Sequence, residues 1–326
     1  VAAAPIQVSA WGWAAVAAAL ILLLGADLLA DARRTRPVRM SEAAWWTLAT
    51  VVLAVSFGAL LAVTSGSTPA GQYFAGWLTE YSLSMDNLLV FVVLIGRSGV
   101  PSRLHGRVVL AGICIAVVLR GIVIGLGAAA LHRFSWLEYL FGAFLLYTAA
   151  QVARRPSGPP LPPDNPDRAT GTAGRIAARL TRGGTAGVLT LVIALGVTDV
   201  VFALDSIPAV FGLTRDPFLV FSANVFALLG LRHLYFLVAG LLARLLYLQA
   251  GLCLILAFIG LKLLSEALRG SGVTSLGPAP VPRVGPWLSL AIIVLVLAAS
   301  ALASIMATRR RAREQERLDQ AACENR

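Results

Sequence analysis

Residues 80–91 read EYSLSMDNLLVF and lie inside the longer apolar run 73–95, YFAGWLTEYSLSMDNLLVFVVLI. At about 1.5 Å of rise per residue, that run is long enough to cross roughly 30 Å of hydrocarbon as a helix. It nevertheless carries Glu80, Asp86 and Asn87 in its middle. Apolar runs of similar length recur along the whole chain of 326 residues, of which 58% are hydrophobic and 13% charged. Soluble globular proteins carry nearer a quarter charged residues, and the mean hydropathy here is +0.80. A β-barrel would show short alternating segments instead. The pattern predicts an all-α, polytopic membrane helical bundle with about nine transmembrane helices. The polar segments are too short to fold alone.

The expected spans are 9–30, 44–63, 73–95, 108–131, 136–153, 187–213, 217–238, 245–268 and 287–307. The first has a small-residue pattern at Ala30-Asp31-Ala32 but no basic residue before it, so a retained span is expected rather than a signal peptide. Arginines concentrate on alternate loops: Arg33 to Arg39, Arg97 to Arg107, Arg154 to Arg182, and Arg309 to Arg317 in the tail. The intervening loops hold only Arg133, Arg215, Arg269 and Arg283, and TSGSTPAGQ at 64–72 holds no charge. The positive-inside rule then predicts a bacterial cytoplasmic membrane protein with its N-terminus outside and its C-terminus in the cytoplasm. The net charge of +11 is an orientation signal that meets anionic lipid, and nucleic acid is not an expected partner.

The opening stretch has a counterpart in DVVFALDSIPAVF, 199–211. Each copy has an acid, five residues, then Asp followed by a small polar residue. Glu80 matches Asp199, Asp86 matches Asp205, and Asn87 matches Ser206. The next span of each half carries an arginine, Arg120 in VVLRGIVIG and Arg232 in LGLRHLYFL. Three spans separate the copies, so they cross in opposite senses. The expected organisation is two N-terminal helices with a basic loop (1–72), a first three-helix repeat (73–153), a Pro- and Gly-rich flexible linker (154–186), a second, inverted repeat (187–268), an outer loop with the last helix (269–308), and a charged tail (309–326). Inverted repeats of this kind build transporter sites at the midplane between the halves.

Energetics point the same way. A charge near a helix centre costs about 2.5–3.5 kcal/mol on insertion scales, so five of them facing lipid unpaired would cost on the order of 10 kcal/mol. They must face the bundle interior, pair, bind a cation or line water. On an unbroken helix Glu80 aligns with Asn87, whereas Asp86 is turned by about 120° from Glu80. Either the helix opens locally, or the two acids face different neighbours. Pro208 makes a break reasonable in the second copy.

Four carboxylates with Asn87, Ser206 and Asn224 are hard oxygen donors, suited to Mg²⁺, Ca²⁺ or Mn²⁺. Arg120 and Arg232 would balance charge, pairing with acids in an empty site. Buried ion pairs holding helices together are the competing structural reading. Lys262, four residues from its span's end, would either snorkel outward or serve the site. Glu138 is expected at the interface. Cys114, Cys253 and Cys323 form no CxxC or Cys/His cluster, and His105, His132 and His233 are scattered. No nucleotide loop, tightly bound cofactor or nucleophile–base pair is expected, so an enzyme is not the expected class.

At these motifs the chain resembles the TerC/Alx family of integral membrane proteins. The likeness rests on EYSLSMDNLLVF and on DVVFALDSIPAVFGLTRDPFLVFSANVFALLGLRHLYFL. VVLRGIVIG, YLFGAFLLYTAAQ and LAFIGLK extend it across about 73–268. The resemblance implies organisation similar to LysE-type exporters and a role in manganese export, metal supply or tellurite resistance. It places the acidic motifs on Glu80, Asp86, Asn87, Asp199, Asp205 and Ser206. Membrane arginines fall on Arg120 and Arg232, the motif asparagine on Asn224, and a late lysine on Lys262. Gln151 stands where members often have lysine. The expected activity is export of Mn²⁺ or a similar divalent cation, possible alternatives being a membrane scaffold and an exporter of a cationic amino acid. The sequence does not set the oligomeric state.

Overall fold

A computed structural model describes residues 40–97, 102–134, 136–154, 188–241, 247–273, 275–276 and 279–324, with single positions between 12 and 25. Within these segments some side chains are not described, among them those of Asp86, Asn87, Asp205 and Arg232. Most of the first expected span, and the linker beyond Arg154, lie outside the described residues.

Among the described residues eight helices follow in order. They are α1 Met40–Thr64, α2 Ser67–Arg97, α3 Ser102–Arg133, α4 Leu137–Ala153, α5 Val188–Phe211, α6 Pro217–Leu241, α7 Leu248–Gly270 and α8 Pro286–Glu324. Their positions match eight of the nine expected spans. A two-residue antiparallel ladder, β1 Ser275–Leu276 with β2 Ala279–Pro280, closes the connection between α7 and α8. Five segments are long and apolar enough to cross a membrane: Ser41–Thr64, Val108–Leu131, Val188–Phe211, Ala250–Gly270 and Pro286–Thr308. Leu137–Ala153 and Pro217–Leu231 are shorter apolar helices.

Local chemistry explains the helix ends. Gly66 turns the chain between α1 and α2 at φ 95°, a left-handed conformation that a residue with a Cβ adopts only under strain. Asp216 caps α6, its Oδ1 accepting from Phe218 N at 2.9 Å and Leu219 N at 3.3 Å. Pro217 fills the first helical position, where no N–H is needed. Inside the helices, hydroxyls return to their own backbone, as Thr47 to Ala43 O, Ser82 to Leu78 O and Thr198 to Ala194 O. With no water to compete, these bonds satisfy groups that lipid cannot.

The helices pack reciprocally. α2 lies on α6 as α3 lies on α5, while α4 pairs with α7. α2 and α5 also touch, as do α3 and α6. α2 is central: its side chains enter three apolar clusters, through Leu88 and Phe91, through Ala75 and Leu83, and through Tyr73 and Trp77. The outward surface is apolar too. Leu60 and Val63 on α1, Leu126 on α3, and Leu295 and Leu302 on α8 are exposed. On a soluble protein such a surface would drive aggregation; against lipid tails it is the matching solvent.

Pro208 does not break α5. The helix runs unbroken to Phe211 with the proline inside it. Pro208 lies in the last turn, so only the carbonyl of Leu204 loses its usual N–H donor. α2 is likewise continuous through Glu80 and Asp86. The two acids of the first copy are therefore separated around the helix, as an intact helix requires.

Candidate functional site

Arg120 of α3 stands at the meeting point of α2, α3, α5 and α6, with 1% of its surface exposed. Its Nε donates to Asp199 Oδ2 at 3.0 Å and its Nη2 to Asp199 Oδ1 at 3.0 Å. This is the two-pronged geometry that makes Arg–carboxylate pairs strong. Nη1 pairs with Glu80 Oε1 of α2. It also donates to Asn224 Oδ1 of α6 at 3.0 Å and to Ser206 Oγ of α5 at 3.4 Å.

Helix periodicity explains each position. Glu80 and Ser84 are one turn apart on α2, and Ser84 Oγ donates to Glu80 Oε1 at 3.3 Å. Asp199 and Ser206 are seven apart on α5 and share a face. Asn224 Nδ2 donates to Val220 O at 3.1 Å, which orients the amide oxygen toward the guanidinium. One turn before Glu80, a Cβ on Gly76 would lie 3.1 Å from a Val210 methyl and 3.4 Å from Ala223 Cβ, so the glycine lets α2 pack closely on α5 and α6.

Glu80 is 0% exposed, yet its Oε2 has no hydrogen-bond partner among the described residues. Trp77 Nε1, Thr79 Oγ1 and Ser222 Oγ are buried and unpartnered in the same way. A buried carboxylate oxygen without a donor is costly. In a dry bundle it marks a place for water, a proton or a cation.

Five of the expected site residues thus converge: Glu80, Arg120, Asp199, Ser206 and Asn224. Asp86, Asn87, Asp205 and Arg232 lie on α2, α5 and α6, but their side chains are outside the described residues. Among the described residues no group of three or more His, Cys, Asp or Glu side chains could hold a metal ion; Arg120 stands between the two visible carboxylates. Sequence reasoning missed Ser84, whose signal was its place one turn from Glu80.

Lys262 belongs to a different cluster. It is 6% exposed and does not snorkel. Its Nζ donates to Gly212 O at 2.7 Å, just past the end of α5, and pairs with Glu266 at 3.0 Å. Beside it Glu138 is buried and pairs with the half-exposed Arg215 at 2.7 Å. Thr214 Oγ1 donates to Gln72 Oε1 at 3.1 Å. The α5–α6 turn is thereby tied to α7, α4 and α2 at one end of the bundle.

Comparison with known proteins adds the family. The model described as the integral membrane protein TerC family matches residues 65–312. An uncharacterized membrane protein of Mycobacterium tuberculosis is 38% identical over 319 residues, covering 90% of this chain and 79% of its own. An uncharacterized membrane protein of Myxococcus xanthus is 35% identical over 314 residues, covering 91% and 92%. The Escherichia coli protein Alx, named as a candidate membrane-bound redox modulator, is 36% identical over 274 residues, covering 78% and 85%. No solved structure matches the chain.

Proposed function

Because the chain belongs to the TerC family of integral membrane proteins, we propose that it is a secondary transporter exporting Mn²⁺ or a similar hard divalent cation. The membrane is the bacterial cytoplasmic membrane, with the N-terminus outside and the C-terminus inside. One observation carries the reading. Acids from the two matched motifs, Glu80 and Asp199, meet at one buried point with the neutral oxygens of Ser206 and Asn224. Asp86 and Asp205 follow six residues further along the same helices, and the reading counts them as acids that serve the transport path. Oxygen donors without Cys or His favour hard cations over Zn²⁺ or Cu⁺. Export against an inward-negative potential costs about 2.3 kcal/mol per charge per 100 mV. A proton gradient is the natural supply for a chain with no ATPase motif.

A second reading has its own support. Arg120 is surrounded by protein acceptors, as a structural tie would be. The chain would then be a membrane scaffold acting in metal or tellurite stress. Under the redox reading that the name of Alx brings, a cysteine pair is wanted; Cys114 and Cys253 are free and lie on different helices.

Asp86→Asn and Asp205→Asn separate these readings. In everted vesicles, both variants are expected to reach the membrane at normal levels and to lose Mn²⁺ uptake. Collapse of the pH gradient is expected to stop uptake by the unaltered protein. Absence of Mn²⁺ uptake by the unaltered protein removes the carrier reading, variants that transport normally take Asp86 and Asp205 out of the site, and indifference to the gradient removes proton coupling.

A further inference from the structure

The guanidinium of Arg120 has two unlike ends. Among the described residues Nε and Nη2 face Asp199 alone, each 3.0 Å from one of its oxygens. Nη1 lies instead among Glu80 Oε1, Asn224 Oδ1 and Ser206 Oγ, oxygens from three helices. A carboxylate, an amide carbonyl and a hydroxyl are donors that a hard divalent cation selects. The other Glu80 oxygen, buried beside them, has no partner among the described residues.

We infer that Arg120 is a tethered counter-ion: Nη1 holds the position that a transported cation takes, and cargo displaces it as the planar guanidinium and Asp199, joined through Nε and Nη2, shift together. This rests on the export reading and says how that site is filled and emptied. Bond geometry sets the order. The Asp199 link has two parallel charge-assisted bonds, whereas Glu80 is held through one oxygen. Withdrawal of Nη1 frees Glu80 Oε1, Asn224 Oδ1 and Ser206 Oγ together, next to the already open Oε2. That makes four oxygens from three side chains. Arginine does not lose its proton at any physiological pH, so the step exchanges one positive group for another. The pocket is never left with Glu80 facing no positive group, a state that buried charges do not tolerate. Return of Nη1 then expels the cargo.

The test uses the purified full-length protein in detergent, with Mn²⁺ as the probe, in three forms: unaltered, Arg120→Lys and Arg120→Gln. Titration calorimetry gives affinity, and melting temperature is measured in chelator and in Mn²⁺. Lysine keeps the charge without the fork, and glutamine removes the charge. Removing a competitor that occupies the binding-competent state tightens the apparent affinity. The expected order is therefore Gln tighter than Lys, and Lys tighter than arginine, with about tenfold between the extremes. The Mn²⁺-induced rise in melting temperature should follow the same order, although both variants melt lower in chelator. A merely structural arginine would lower melting in chelator without enlarging that rise. If Arg120→Gln is recovered only with Mn²⁺ present, the inference is supported; if it is not recovered at all, Arg120→Lys decides. Variants that fold but bind Mn²⁺ equally or more weakly overturn the inference and leave export standing. An unaltered protein that binds no Mn²⁺ overturns export, and this inference with it.

Discussion

At the residue scale the molecule turns on one side chain. Arg120 has five N–H donors, and its described acceptors are Asp199 twice, Glu80, Asn224 and Ser206. Removing one partner of a buried ion pair typically costs about 3–5 kcal/mol, because the remaining charge is stranded. Asp199→Asn is expected to fall in that range, since an amide replaces one of two accepting oxygens and the charge is lost. Glu80→Gln should cost less, because its remaining carbonyl oxygen can still accept from Nη1. Unfolding in detergent measures the order, and equal losses would contradict the asymmetry. These acids were legible in the sequence because a charge in an apolar run is rare and expensive. Ser84 beside Glu80 was not, because hydroxyls inside membrane helices usually bond their own backbone, as Ser82 and Thr198 do.

At the scale of the element, α5 is the informative helix. Its sequence pointed to a break at Pro208, and the helix nevertheless runs through the proline to Phe211. The carbonyl just beyond that end, Gly212 O, is met by the ammonium of Lys262, a favourable charge for a helix C-terminus. Snorkelling was the simpler expectation for a lysine near a span end. It fails because an unsatisfied carbonyl lies within reach on the inner side, which no spacing rule reveals. Lys262→Met keeps the length and loses the bond. A loss of about 1–3 kcal/mol is expected, with faster amide exchange confined to 208–214. Unchanged exchange there would show that Lys262 does not hold the end of α5. Helix positions themselves were readable from apolar run length, with ends off by a few residues, as with α2 starting at Ser67 rather than 73.

At the scale of the whole molecule, helix pairing is crossed and reciprocal: α2 with α6, α3 with α5, and α4 with α7. The repeated motifs lead one to expect two related halves; they do not say which helix of one meets which of the other. The α4–α7 crossing depends on two facing glycines. A Cβ on Gly142 would lie 2.6 Å from Leu264 and 3.2 Å from Gly260 O, and one on Gly260 would lie 3.0 Å from Gly142 O. Backbone cannot move aside as a side chain can. Gly142→Val or Gly260→Val should therefore each destabilise by about 1–3 kcal/mol or more, and the double variant by less than the sum, since both separate the same pair of helices. Thermal melting of the singles and the double checks this, and full additivity would deny a shared crossing.

The last helix has a dimension worth following. At about 1.5 Å per residue, the 39 residues of α8 form a rod of roughly 58 Å, almost twice the thickness of a bilayer's oily interior. Only Pro286–Thr308 is apolar enough to sit in that interior. The rest, unbroken to Glu324, carries the rod about 24 Å past the apolar segment, so its far end keeps a fixed distance from Thr308, where a floppy leash would let it wander.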